Sequence, residues 1–401
     1  MDIFSSLQAP AREPILCVGM HTTGEPTRIV VRGVDHLLRG KRLLDKRDCA
    51  REEYDHLRKR LMFEPRGHSE MYGAYLIKET ELTIAKDAHM GVLFTHGEGY
   101  STMCGHATMA LGRFLVDTQD EETFPARSTL VHDPTTSTTQ VNLHAPCGLV
   151  EIAVPTLLDG SGKITYDPSR LVSFVSVPSF ATAVDLDVEA PEKYRWPELG
   201  DRTRLTVDVA YGGAFYAIVQ APELGFPTGL RGASLPALSF ATEKLKALIM
   251  AEHAWTTQHP TEEALSYLYG VVVVDEAVAE GEGEETGLCF FADQQVDRSP
   301  TGSAVSARLA LAFTKGLLGL NEPRRYHSVV SLASDEPAKD AFEGEAVEEL
   351  RVEGGRWGEG EGRRAVRVKT SGRAYYTDAS AFVAEEDDYL SKAGFQVALP
   401  Q

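Results

Sequence analysis

Cysteine is scarce in this 401-residue chain: Cys17, Cys49, Cys104, Cys147 and Cys289 stand singly, with no CxxC pair. So sparse and odd a set argues against a disulfide framework and suits reduced thiols, so a cytoplasmic location is expected. No apolar run approaches the roughly eighteen residues of a membrane span, and the opening MDIFSSLQAPAREP lacks a basic-then-apolar leader pattern, so no signal peptide is expected. Basic side chains are outnumbered, 40 against 59 acidic, for a formal charge of −19. Such a field disfavours nucleic acid and anionic lipid as partners. It also opposes an anionic substrate, so a carboxylate ligand must be held by local donors such as backbone N–H groups. Cofactor and metal signatures are missing too: there is no GxGxxG after a strand, no P-loop and no HExxH.

What is present supports a packed core. Hydrophobic residues make up 43% and charged residues 25%, and the length favours two domains over one. Strand-like runs fall at Ile15–Met20, Arg28–Arg32, Gln140–Leu143, Leu149–Val154, Leu205–Val209, Ala214–Gln220 and Tyr269–Asp275. Helical periodicity covers Leu37–Arg60, His106–Val116, Ser239–His259 and Ser303–Lys315. Asp117–Thr139, the acidic Ala277–Thr286 and the Gly/Glu/Arg-rich Glu353–Arg364 read as solvated loops.

A faint repeat runs through this α/β pattern. Cys104-Gly-His-Ala-Thr-Met-Ala110 and Thr301-Gly-Ser-Ala-Val-Ser-Ala307 share Gly, Ala and Ala at the same offsets. Upstream, Gly24 with Ile29-Val30 matches Gly213 with Ile218-Val219. Two matches in one order suggest a duplicated unit with one active element per copy.

Both repeat elements open helices. After Cys104-Gly105, the residues Ala107, Ala110, Leu111, Phe114 and Leu115 recur at helical spacing, placing Cys104 at a helix start. Free N–H groups there carry about half a positive charge, which lowers a thiol's pKa and supplies a thiolate to act as base or nucleophile. Gly105 permits close approach of backbone to a ligand. The other four cysteines read as small buried side chains, and His106 gains interest only from its neighbours. In Asp297-Arg-Ser-Pro-Thr301-Gly-Ser303, Pro300 and Thr301 are natural helix openers, so ordinary N-capping competes with anion binding as the reading. Two such helix starts facing one another would cradle a carboxylate despite the acidic surface.

At these residues the chain resembles the proline racemase family, which includes proline racemases, hydroxyproline 2-epimerases and trans-3-hydroxy-L-proline dehydratases. The resemblance is carried, nearly end to end, by His21-Thr-Thr-Gly-Glu-Pro-Thr-Arg, Glu64-Pro-Arg-Gly-His-Ser-Glu-Met-Tyr-Gly-Ala, Met103-Cys-Gly-His, Asp208-Val-Ala-Tyr-Gly-Gly-Ala-Phe-Tyr-Ala, Asp297-Arg-Ser-Pro-Thr-Gly and Gly372-Arg-Ala-Tyr-Tyr. It implies an α/β (α+β) fold of two pseudo-symmetric, diaminopimelate epimerase-like domains. Each would be a curled sheet around a central helix, with the active site in the cleft between them. Residues 1–155 with 378–401 would form the half carrying Cys104, and residues 156–377 the half carrying Asp297 and Thr301. Carried over, Cys104 is the catalytic thiol, with Thr301 its counterpart. N–H groups of Gly105, His106, Gly302 and Ser303 would hold the carboxylate, and His106 and Asp297 would contact the ring nitrogen. His21 and His68 default to structural parts in their loops. No cofactor or metal is required, and family members are commonly homodimers.

One departure decides the subclass. Racemases and epimerases of the family carry a second cysteine where this chain has Thr301. Returning the α-proton from the opposite face needs an acid, and a hydroxyl roughly five units weaker than a thiol costs about 7 kcal/mol, at about 1.36 kcal/mol per unit. Cysteine paired with threonine is the family's dehydratase pattern. The reading is therefore a lyase that converts trans-3-hydroxy-L-proline to Δ1-pyrroline-2-carboxylate and water. A proline racemase or 4-hydroxyproline 2-epimerase is the first alternative, and a non-catalytic imino-acid-binding protein the second.

Overall fold

In the computed structural model, which describes residues 14–275, 284–354 and 362–397, the chain divides into two compact units. One comprises the residues up to Phe174 together with those from Arg373 onward; the other is Val175–Gly372.

The first unit opens with β1 (Ile15–Thr22) and β2 (Glu25–Arg32), an antiparallel pair in which more and less buried positions largely alternate. Thr23 and Gly24 join them at φ 49° and 82°, the positive values that a two-residue hairpin needs to match strand twist. The helices α1 (Leu43–Glu53) and α2 (Asp55–Met62) carry the chain across to β3 (Gly73–Ile77), parallel to β2. Then come α3 (Glu81–Ala85), β4 (Met90–Thr95) antiparallel to β3, the short β5 (Tyr100–Ser101) and α4 (Gly105–Asp117). After β6 (His132–Asp133), β7 (Thr138–Ala145) runs parallel to β4, and β8 (Gly148–Leu158) and β9 (Ile164–Tyr166) follow antiparallel. The late strand β20 (Ala374–Phe382) closes on β1. Helix α4 touches β1, β2 and β20 at one end of this sheet and β7, β8 and β9 at the other. A sheet that meets one helix with both its ends is curled around it. Every residue of α4 except Arg113 and Asp117 is buried, and side chains such as Leu111 and Leu115 each contribute roughly 1.5–3 kcal/mol by leaving water.

β10 (Val172–Val175) leads into the second unit, where β11 (Phe180–Glu189), β12 (Arg204–Tyr211) and β13 (Phe215–Gln220) are antiparallel neighbours. α5 (Leu235–Glu252) crosses to β14 (Leu268–Asp275), parallel to β13; β15 (Glu284–Phe291) returns antiparallel; β16 (Gln295–Val296) opens the turn into α6 (Gly302–Thr314). β17 (Arg324–His327) lies parallel to β15, and β18 (Phe342–Val352) and β19 (Arg363–Gly372) complete the sheet. Helix α6 touches β11, β12 and β13 as well as β18 and β19. Hairpin, helical crossover, antiparallel return, short strand, thirteen-residue central helix and parallel strand thus recur in one order in both units. The duplication expected from a few shared glycines and alanines is a duplication of topology, with Gly24 and Gly213 in the two equivalent hairpin turns.

Details differ from the sequence reading. The units divide at Phe174 and Arg373, against the expected 155 and 377, because β8 continues through Leu158 and pairs with β9 inside the first unit. The periodicity over Leu37–Arg60 is two helices broken at Tyr54, where the backbone leaves helical geometry. Asp117–Thr139 holds one turn of 3₁₀ helix and β6. Most of Ala277–Thr286 and of Glu353–Arg364 lies outside the described residues; Glu284–Thr286 belongs to β15. No helix among the described residues is long and apolar enough to cross a membrane.

The hairpin of the second unit bears on the start of α6. A Cβ built on Gly212 would lie 2.1 Å from the Ser303 carbonyl oxygen and 2.6 Å from the Ala307 nitrogen. Both atoms are helix backbone and cannot swing aside, so Gly212→Ala should destabilise the protein by about 1–3 kcal/mol. A lowered thermal midpoint checks this; an unchanged midpoint would mean that the hairpin yields instead.

Candidate active site

In the first unit, β5 and the turn after it deliver Cys104 to the N-cap of α4, in extended geometry (φ −147°, ψ 112°). Its sulfur accepts a hydrogen bond from the Ala107 N–H at 3.4 Å, so the side chain caps its own helix. This donor, with the other N–H groups of the first turn, favours sulfur as an anion. Cys104 is 4% and His106 2% exposed. The Cys104 sulfur lies 3.2 Å from His106 Nδ1 and 3.5 Å from Nε2, nearly equidistant, so it rests against the ring. Burial pushes the imidazole down to about 3, opposed by a hydrogen bond with the Pro26 backbone. Burial thus favours the neutral imidazole, within hydrogen-bond distance of the sulfur.

The surroundings of His106 include residues that sequence reasoning missed. Tyr72 meets the imidazole edge to face, with ring centroids 4.8 Å apart, and bonds through its hydroxyl to Ser101 Oγ. Thr22 Oγ1 donates to the His106 carbonyl at 3.0 Å. Thr22 and Pro26 flank the first hairpin turn, so the opening motif serves as a clasp on the start of α4. His21, in the same motif, accepts from the Gly24 N–H and stacks on Tyr375. His68 accepts from the Glu70 N–H in an exposed loop. Both histidines support their loops. Of the other cysteines, Cys17 and Cys147 are pushed up to about 12 by burial, which suits packing and not reactivity.

The second unit brings Asp297, Thr301, Gly302 and Ser303 together at the start of α6. Asp297 is 3% exposed, and burial pushes its carboxyl up to about 6, opposed by the hydroxyls of Ser299 and Thr301 and by the Ser299 N–H, which donates at 2.8 Å. Ser299 in turn accepts from the Thr301 N–H at 3.1 Å. Thr301 is the N-cap of α6, yet its φ of 63° is left-handed and its side chain makes no capping hydrogen bond. Ser303 Oγ lies 2.7 Å from the hydroxyl of the fully buried Tyr216, another residue that sequence reasoning missed. Gly105 and Gly302 are each the first residue of their helix and are buried. Among the described residues, no group of three or more His, Cys, Asp or Glu side chains could hold a metal ion.

One helix start thus carries a self-capping thiol beside a neutral imidazole. The other carries a buried acid beside an uncapped threonine. The family model for proline racemase matches residues 17–396. The chain belongs to the proline racemase family. Within that family it is 42% identical over 385 residues to the trans-L-3-hydroxyproline dehydratase of Bos taurus, covering 95% of this chain and 94% of that one. It is 42% identical over 383 residues to the trans-3-hydroxy-L-proline dehydratase of Homo sapiens, with the same coverage. Among solved structures it is similar to a probable proline racemase from Agrobacterium radiobacter with bound carbonate (TM-score 0.72, 21% identity). It also matches a hydroxyproline epimerase from Agrobacterium vitis with bound trans-4-hydroxy-L-proline (TM-score 0.71, 20% identity). Each match covers 96% of both chains, and at these identities it shows the shared fold.

Proposed function

We propose that this member of the proline racemase family is a trans-3-hydroxy-L-proline dehydratase acting through Cys104. The observation that carries the reading is the unequal pair of helix starts, a thiol at Cys104 and a hydroxyl at Thr301. The names of the relatives at 42% identity agree with it. In the substrate, carboxylate and hydroxyl lie on opposite ring faces, so the α-hydrogen and the 3-hydroxyl share a face. Cys104 thiolate takes the α-proton. The C3–O bond breaks as C2=C3 forms, and the new thiol returns its proton, directly or through water, to the departing hydroxide. The thiolate is regenerated, and the enamine tautomerises to Δ1-pyrroline-2-carboxylate.

In this reading N–H groups of Gly105, His106, Gly302 and Ser303 hold the carboxylate and stabilise carbanion character. The neutral His106 imidazole and the Asp297 carboxylate receive the ring ammonium. Thr301 takes the face opposite Cys104. We further propose that the protein works as a cytoplasmic homodimer. The test is incubation with trans-3-hydroxy-L-proline, reading loss of one water and appearance of Δ1-pyrroline-2-carboxylate. Deuterium entry into L-proline or 4-hydroxyproline without water loss would select the racemase or epimerase. Binding without turnover would select the non-catalytic alternative.

Asp297 sets an expected pH dependence. Its charged form pairs with the ring ammonium, so kcat/KM should fall about tenfold per pH unit below about 6. Stability runs the other way. A carboxyl raised from 3.8 to about 6 in the fold adds stability that is complete below 3.8 and lost as pH rises through about 6. Asp297→Asn should therefore slow turnover, flatten the acid limb and raise the melting temperature at neutral pH. An acid limb unchanged in the variant assigns it to another group.

A further inference from the structure

Thr301 combines three features that ordinary packing does not explain. Its φ of 63° with ψ 89° places a β-branched residue in the left-handed region, a strained arrangement that persists where surrounding structure enforces it. The residue is only 6% exposed, and Oγ1 finds no hydrogen-bond partner among the described residues. The hydroxyl lies near enough to Asp297 for a weak interaction that helps hold that carboxyl down, but it makes no hydrogen bond of ordinary geometry among the described residues. Third, an N-cap threonine normally turns its oxygen back onto the helix N–H groups, and here it does not. Cys104, at the equivalent position of the first unit, does accept from its own helix. The start of α6 is thus left with its own N–H groups uncapped by Thr301 and a buried hydroxyl in reserve.

We infer that the Thr301 hydroxyl is a ligand-binding donor, held in a strained backbone conformation to bond the carboxylate of a bound imino acid alongside the Gly302 and Ser303 N–H groups. An oxyanion fits this donor set: helix N–H groups and a hydroxyl gather negative charge, and the overall charge of −19 supplies no attraction of its own. The inference rests on the proposed imino-acid function and gives Thr301 a task beyond replacing a second thiol.

Valine is the discriminating replacement, because it keeps the branched shape and removes the oxygen. Binding of L-proline is measured by calorimetry on wild type, Thr301→Val and Thr301→Ser, and the unliganded melting temperature of each is recorded. L-proline lacks a 3-hydroxyl, so it reports binding free of turnover. Thr301→Val should bind about 10- to 100-fold more weakly, the range of a hydrogen bond to a charged group, while melting at or above the wild-type temperature, since a methyl replaces an unsatisfied hydroxyl. Thr301→Ser should stay within about threefold of wild type. Unchanged L-proline affinity in Thr301→Val, absence of L-proline binding in wild type, or a fall in its melting temperature comparable with a lost internal hydrogen bond would each overturn the inference. Failure of the dehydratase reading looks different: wild type would bind L-proline in a Thr301-dependent way yet release no water from trans-3-hydroxy-L-proline.

Discussion

Serine in place of Cys104 should give a folded protein with turnover lower by about three orders of magnitude or more. The side chain is 4% exposed and caps α4 by accepting from the Ala107 N–H. Serine is a better N-cap than cysteine, so the helix start survives and the melting temperature should hold or rise. What is lost is acidity. A hydroxyl near neutral pH is almost never an anion, whereas a thiol with an ordinary pKa near 8.5 needs only a modest shift to become one. The two measurements separate chemistry from structure. Activity lost with the melting temperature intact assigns the base, and substantial retained turnover would remove Cys104 from the mechanism. Alkylation of the wild-type thiol, with protection by L-proline, gives an independent check that the sulfur is reachable from the ligand.

The parts of this site that the sequence made legible share one property: they depend on neighbours within a few positions. Cys104-Gly-His and Thr301-Gly-Ser each precede a helical apolar pattern, and the helices begin at Gly105 and Gly302. Residues that act through space left no such trace. Tyr72 reaches His106 from the end of a loop, and Tyr216 reaches Ser303 from a strand in which all residues but Gln220 are buried. Nothing local distinguishes either from a core aromatic. The strands β3 and β4 were missed for a related reason. Buried along their whole length, they show no alternation of apolar and polar residues from which a period can be read, and they lack the run of four valines that makes the equally buried β14 legible. The left-handed backbone at Thr301 was equally hidden, since threonine is among the last residues that a left-handed position would suggest. The sequence does carry the exchange of sulfur for oxygen between the two repeats, and the geometry adds that the buried hydroxyl makes no hydrogen bond of ordinary geometry among the described residues.

The stereochemistry of elimination follows from having one sulfur and no second thiol. cis-3-Hydroxy-L-proline keeps the α-hydrogen where the thiolate meets it but moves the hydroxyl to the other ring face. In the proposed placement that is the face of Thr301, whose hydroxyl is a far weaker general acid than the thiol that serves the trans isomer. Proton removal should still occur, so the cis isomer is expected to exchange its α-hydrogen with heavy water while losing water at least about 100-fold more slowly than the trans isomer. Exchange without elimination is the decisive pattern, because it separates the step that both isomers share from the step that only one can complete. Equal dehydration of the two isomers would mean that acid is supplied to both faces. The single-thiol mechanism would then fail even with Cys104 confirmed as the base.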